Sequence, residues 1–303
     1  MPSPLFAFFV AVGLFLIFWA LCYRPLAGFI FLVKAGAKRT GAWLAHSPPG
    51  KWAIARAGAR ASYAPIVLVV MLGALAAFGA GFLFVDLAEQ FRLTTSLVYR
   101  YDQAIHTWFG NERQDPVTML LTLATTLGGA MGMAALAGTV AVILLVRKER
   151  ASAIFVVVTA VGGVVLNTGL KMLFARARPD VGSAIAVARW YSFPSGHAMG
   201  SFVTCGALAY IALRQHWPWA AKSAALAAAL TITVLVGVSR VYLGVHWASD
   251  IAGGWSAGLV WLAAAVVAFE MLLRLRARRR GAAPASPTAE IPDQPLPPQP
   301  ATA

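Results

Sequence analysis

Charge is scarce in this chain, and acid is scarcer still. Only 12% of the 303 residues are charged, with 25 Lys and Arg against 11 Asp and Glu. An average soluble domain carries about 25%. Hydrophobic residues make up 59% and the mean hydropathy is +0.72. That shortage excludes a disordered regulator, a soluble nucleic-acid binder and an ordinary cytosolic enzyme. Cysteine is nearly absent. Cys22 and Cys205 lie in apolar runs without partners at metal-ligand spacing, so neither a disulfide framework nor a zinc site is expected. No acidic cage for a hard cation is present.

What the sequence has instead is long apolar runs. A hydrocarbon core of about 30 Å takes ~20 helical residues. Seven runs qualify as candidate spans, at 5–22, 65–86, 117–146, 152–174, 197–213, 223–242 and 251–273. The run 117–146 is long enough to tilt or to carry a helical extension. The fold class expected is all-α, a polytopic membrane helix bundle.

The formal charge of +14 is distributed by topology. Segments 24–64, 147–150, 214–222 and 274–280 hold 17 cations, while the alternating loops 87–116, 175–196 and 239–250 hold 7. The positive-inside rule then places the C-terminus in the cytoplasm. Residues 1–22 lack a basic leader and are read as an uncleaved first span. Segment 43–60 mixes Trp43, Leu44, Trp52 and Ile54 with cations, as suits a helix lying on anionic lipid. Leu97, Tyr101, Ile105 and Trp108 recur at helical spacing and are read as a surface anchor without chemistry. The G-x-x-x-G pairs at Gly128/Gly132 and Gly254/Gly258 are read as close helix packing. Residues 281–303, with seven prolines, are expected to be a disordered tail.

Polar residues outside the basic segments gather in three places: Lys171 to Pro179, Pro194-Ser195-Gly196-His197, and Ser239-Arg240 followed by His246 and Asp250. The span order puts all three at one membrane face, at adjoining helix ends. Ionised groups near hydrocarbon are costly and call for a function. Lys171, Arg178 and Arg240 suit an anion, since guanidinium forks match phosphate oxygens. The backbone of Ser195, Gly196 and His197 at a helix start adds donors and a favourable dipole. His246 and Asp250, at i and i+4, meet on one helical face. There the carboxylate can hold Nδ1–H and leave Nε2 to attack phosphorus. His197 is placed to protonate the leaving oxygen and then activate water.

These blocks resemble the type 2 phosphatidic-acid phosphatase superfamily, which includes lipid phosphate phosphatases and vanadium haloperoxidases. The pattern K-x6-R-P, P-S-G-H, S-R-x5-H-x3-D is met by Lys171-x6-Arg178-Pro179, Pro194 to His197, and Ser239-Arg240-x5-His246-x3-Asp250. The resemblance implies a six-helix phosphatase core over 65–273, here with an extra N-terminal span and basic segment in 1–64 and a basic, Pro-rich tail in 274–303. It implies a metal-independent lipid phosphatase without cofactor. His246 would form a phosphohistidine, Asp250 would orient it, and His197 would be the acid and then the base. Lys171, Arg178, Ser195, Gly196 and Arg240 would bind the phosphate. The expected partners are a lipid phosphate and membrane lipids, with neither nucleic acid nor an obligate protein partner. The compartment would be the plasma or inner membrane, with the site facing out.

Two alternatives stand beside this. One is a phosphotransferase passing the phosphate to a lipid or sugar. The other is a lipid-binding or transport protein that has lost catalysis, and the intact His197, His246 and Asp250 argue against it. Phosphatidic acid, phosphatidylglycerol phosphate, polyprenyl diphosphate and lipid A all fit as substrates. Trp190 and Tyr191 are candidates for lining the headgroup pocket, or belt residues at the interface. One outcome tests the topology. A Gln294→Cys variant should react with a membrane-impermeant thiol reagent only after the cytoplasmic face is opened.

Overall fold

The computed structural model describes Gly13, Leu16, Ile17, Trp19 and Ala20, then residues 64–111, 115–179 and 190–281. Most of the expected first span, the basic segment 24–63 and the tail beyond Gly281 lie outside the described residues. The described residues form eight helices: α1 (Ala64–Gln90), α2 (Leu97–Asn111), α3 (Asp115–Leu127), α4 (Ala130–Val146), α5 (Arg150–Phe174), α6 (Gly196–Arg214), α7 (Trp219–Tyr242) and α8 (Ala248–Gly281). By its contacts the chain divides into Met1–Val267 and Ala268–Ala303, and the site described below lies wholly in the first unit.

Four of these helices are long and apolar enough to cross a membrane: Arg150–Phe174, Gly196–Arg214, Trp219–Tyr242 and Ala248–Ala277. The run 117–146, expected as a span long enough to tilt or to carry a helical extension, is a bent pair of helices. It breaks at Gly128-Gly129 into α3 and α4, bent by 55°. The glycines explain the break, because Gly129 takes an extended conformation and starts α4 without a side-chain cap. The outward faces are apolar, as lipid contact requires. Phe78 and Phe82 on α1, Met131 and Val146 on α4, and Val161 and Val165 on α5 are all more than half exposed.

α6 packs against α4, α5 and α7, and α7 packs against α2 and α3. Small residues on the buried face of α6 (Ala198, Ser201, Ala207) let helices approach closely, while Met199 and Val203 fill the space between them. α8 packs closely on α6 through the expected glycine pair. A Cβ at Gly254 would lie 2.9 Å from the Ser195 carbonyl oxygen, and one at Gly258 would lie 3.2 Å from Phe202. Gly128 packs likewise, with Val236 on α7. Trp19, in the first expected span, donates its indole N–H to Ser223 on α7 at 3.0 Å.

Two chain reversals bring the polar blocks together. α5 ends at Ala175, which adopts φ 47°, ψ 35° and donates its N–H to the Lys171 carbonyl. A left-handed residue with a Cβ costs roughly 1–2 kcal/mol, and here it directs Arg176 and Arg178 back over the bundle end. Ser195 caps α6, accepting from the Ala198 N–H, while its own N–H donates to the Asp250 carbonyl at 3.0 Å.

A Gly254→Ala variant should lose about 1–3 kcal/mol of stability, because its methyl meets backbone. Gly169→Ala, where nothing lies within 4 Å, should gain about 0.5–1 kcal/mol from helix entropy. Thermal unfolding of both variants in detergent checks the pair.

Candidate active site

The centre of the site is the His246 ring, in the turn between α7 and α8. Its Nδ1 lies 3.1 Å from Asp250 Oδ2, and its Nε2 lies 3.1 Å from an Arg178 Nη1. A guanidinium nitrogen only donates, so Nε2 is the acceptor and Nδ1 carries the proton. Neutral His246 is therefore fixed in one tautomer by a partner at each nitrogen. The ring is 2% exposed, and burial pushes its pKa from 6.5 down to about 4 despite the hydrogen bond to Asp250.

Asp250 starts α8 and is fully buried. Its Oδ2 also accepts the Trp247 N–H at 3.0 Å, and its Oδ1 accepts from Arg176 Nη1 at 2.7 Å. Arg176 is equally bound to α2, where Asp102 Oδ2 accepts from its Nη2 at 2.7 Å. Asp102 Oδ1 accepts the Ser249 N–H at 2.9 Å, and the Ser249 hydroxyl bonds both Asp102 and Arg176. Phe91 and Trp247 cover the guanidinium faces, at 4.4 and 5.6 Å from the ring centroids.

The other cations are held around this core. Lys171 Nζ donates to the carbonyls of Tyr191 (2.7 Å) and Ser192 (3.3 Å). Arg178 donates to the carbonyls of Trp190 (2.8 Å), Val245 (2.6 Å) and Tyr191 (3.3 Å), and desolvation lowers its pKa. Trp190 and Tyr191 therefore serve the site through backbone oxygens, while their side chains are exposed. Arg240 is anchored to Thr125 on α3 by a 2.6 Å bond from Nη1, yet its buried Nε has no partner among the described residues. A buried donor left open beside further cations is suited to an anion.

His197, on the first turn of α6, lies within Coulombic reach of Arg240, His246, Arg178 and Lys171. The bend of the broken span brings Gly129 beside it, since a Cβ there would lie 3.3 Å from His197 Nε2. A Cβ on Gly196 would come 3.0 Å from Asn167 Oδ1, so a side chain there would press on that amide. All eight expected residues thus lie at one end of the bundle: Lys171, Arg178, Ser195, Gly196, His197, Arg240, His246 and Asp250.

The sequence reading missed Asp102, Arg176, Ser249, Asn167 and Thr125. Of the anchor expected on α2, Ile105 instead packs inward, against Val241 and Ile251. Leu97, Tyr101 and Trp108 are exposed at 65, 65 and 59%, but Asp102 on the opposite face is 3% exposed. The available signal was a lone carboxylate in register with Val98, Ile105 and Phe109, the apolar face of α2 that packs inward.

Residues 151–274 match the PAP2 superfamily. Phosphatidylglycerophosphatase B of Bacillus subtilis is 41% identical over 97 residues, covering 31% of this chain and 47% of that protein. An undecaprenyl-diphosphatase of Sulfolobus acidocaldarius is 32% identical over 123 residues, covering 39% of this chain and 55% of that protein. The chain spans about half the length of these curated relatives. The crystal structure of a transmembrane PAP2 type phosphatidylglycerolphosphate phosphatase from Bacillus subtilis superposes with a TM-score of 0.59 at 29% identity, covering 65% of this chain and 96% of that one. Residues 151–274 thus carry the PAP2 superfamily match, and the described residues are all helical, with the spans of a multi-pass membrane protein. Asp102 and Thr125 lie outside the matched segment.

The depressed pKa of His246 has a sign that can be checked. The unfolded chain binds the extra proton between pH 6.5 and about 4, so this stabilising contribution is complete above 6.5 and is lost as pH falls toward 4. Nitrogen-15 NMR of the folded protein should show neutral His246, protonated on Nδ1, down to about pH 5. Titration near 6.5 would show that burial does not govern the ring.

Proposed function

We propose that the chain is an integral-membrane lipid phosphatase acting through a phosphohistidine. The observation that carries this reading is the His246 ring, which Asp250 and Arg178 together hold with Nε2 unprotonated, its lone pair accepting from an arginine that a phosphate can draw away. The substrate phosphate would lie among Lys171, Arg178, Arg240 and the Ser195–Gly196 backbone, with the open Arg240 Nε as one of its donors. The cations take the place of a metal in stabilising the charge of the transferring group.

In the first half-reaction the Nε2 lone pair bonds to phosphorus, the bond from phosphorus to the lipid oxygen breaks, and that oxygen takes a proton from His197. The charge developing on the His246 ring is met by Asp250. In the second half-reaction His197 takes a proton from water, the water oxygen bonds to phosphorus, and the phosphorus–nitrogen bond breaks. Inorganic phosphate leaves and His246 is restored.

An apolar groove supports a lipid as the substrate. It has a volume of about 370 Å³ and lies between α4, α5 and α6. Gly196 and His197 line it at the site, and Ala134, Ala137, Gly163 and Val164 line it toward the span interior. A lipid whose phosphate lies beside His197 would lay its hydrocarbon in this groove. The phosphate esters named for the relatives, phosphatidylglycerophosphate and undecaprenyl diphosphate, are of this class. The phosphatase core would comprise residues 65–273 and open on the outer face of the plasma or inner membrane.

Phosphate release from a panel of lipid monophosphates and diphosphates tests the reading. The purified protein should be active in EDTA and inhibited by vanadate, and His246→Ala should lower kcat by about a thousandfold or more. A requirement for added Mg²⁺, or activity that survives the substitution, overturns this mechanism.

A further inference from the structure

The mechanism uses one oxygen of Asp250, and the other is bound by residues to which the reaction assigns nothing. Oδ2 faces His246 and the Trp247 N–H. Oδ1 faces Arg176, which continues to Asp102 and Ser249. We propose that Asp102 and Arg176 are positioning residues for catalysis, a buried clamp that fixes the Asp250 carboxylate and preserves its negative charge toward His246.

Two physical arguments carry this. The first is geometric. A carboxylate at a helix start can turn about its χ2 bond, which is broad for aspartate, and a turn would take Oδ2 off the ring. Arg176 stops that turn, because its 2.7 Å bond anchors Oδ1 while Nη2 is anchored 2.7 Å from Asp102. The planar fork serves two carboxylates at once, which an ammonium group does not match in geometry. Asp102 is in turn held by the Ser249 backbone N–H, next to Asp250 itself. The aromatic faces of Phe91 and Trp247 keep the guanidinium in place.

The second argument is electrostatic. Arg176 and Asp250 alone would be a neutral pair, and the attack on phosphorus would build positive charge on a ring facing a cancelled carboxylate. Asp102 adds a second buried negative charge on the far side of Arg176. Asp102, Arg176 and Asp250 together then carry one net negative charge, presented to the ring through Oδ2. A solely structural ion pair has no need of a second acid, and burying one is costly unless it is paired and hydrogen-bonded.

The proposal rests on the phosphohistidine reading, so its test has a readout that does not need turnover. In full-length protein, His246 Nδ1–H should give a proton NMR signal shifted downfield by its bond to Asp250. Asp102→Asn, which keeps size and one acceptor, for the Ser249 N–H, should move that signal upfield or broaden it. In turnover, Asp102→Asn should lower kcat per folded molecule by about tenfold or more with KM within about twofold. Arg176→Lys, which keeps charge without the fork, should retain more activity than Arg176→Gln. A purely structural clamp would lower the folded yield and leave kcat per folded molecule and the Nδ1–H signal unchanged.

Wild-type kcat, or an unmoved signal, in folded Asp102→Asn overturns the proposal. If that variant does not fold, Ser249→Ala takes its place, removing the shared hydroxyl but neither charge. It should shift the signal and lower kcat in the same direction, and no change in either overturns the proposal. If the wild-type protein releases phosphate from no lipid, the phosphatase reading fails, and the NMR comparison still decides the clamp.

Discussion

A single guanidinium ties together three distant parts of this chain. Arg176 leaves the end of α5, reaches Asp102 on α2 and meets Asp250 and Ser249 at the start of α8. All of these groups are withdrawn from solvent at the end of a bundle whose sides are apolar. An unpaired charge in such a place is costly, and breaking a buried pair typically costs about 3–5 kcal/mol. The positions of α2, α5 and α8 at this end are therefore set by one condition, that neither carboxylate nor guanidinium is left without its partner. The rest of the polar end is arranged around that fixed point, because Asp250 in turn orients His246 and its carbonyl receives the Ser195 N–H.

Close packing does the complementary work within the spans. α6 approaches its neighbours through alanines and glycines, and α8 comes near enough at Gly254 for backbone to meet backbone across the pair. That contact sits under the Ser195 cap, so helix spacing and the placement of the α6 N-terminus are one feature. The bend at Gly128-Gly129 belongs to the same scheme. At this break both Thr125 and Gly129 reach the site, where one holds Arg240 and the other lies against His197.

The spans and the eight chemical residues were legible in the sequence for different reasons. Spans such as 152–174 and 223–242 show because hydrocarbon demands runs of apolar residues, a one-dimensional property. Lys171, Arg178, His197 and His246 show because charged and titratable groups are rare in this composition and gather at span ends. Asp102 did not show, because its partner stands 74 residues away and nothing local marks a carboxylate as paired. Arg176 was hidden by Arg178, two residues on, in a loop where any cation passes for surface charge. The break at Gly128-Gly129 was hidden too, since paired glycines in an apolar run signal close packing as readily as a kink. Register along α2 also separates two apolar faces that hydropathy alone merges, the exposed Leu97, Tyr101 and Trp108 from the inward Val98, Ile105 and Phe109.

The contact between Arg178 and His246 makes the resting ring a guarded one. The same Nη1 that faces Nε2 also donates to the Val245 carbonyl, so this arginine is braced against the turn that carries the histidine. An approaching electrophile finds the nitrogen lone pair already engaged. A neutral alkylating reagent offers the guanidinium nothing in exchange and meets a closed door, whereas an anion supplies oxygens that can replace the ring as acceptor. Selection between the two begins before any bond forms, as a competition for one N–H.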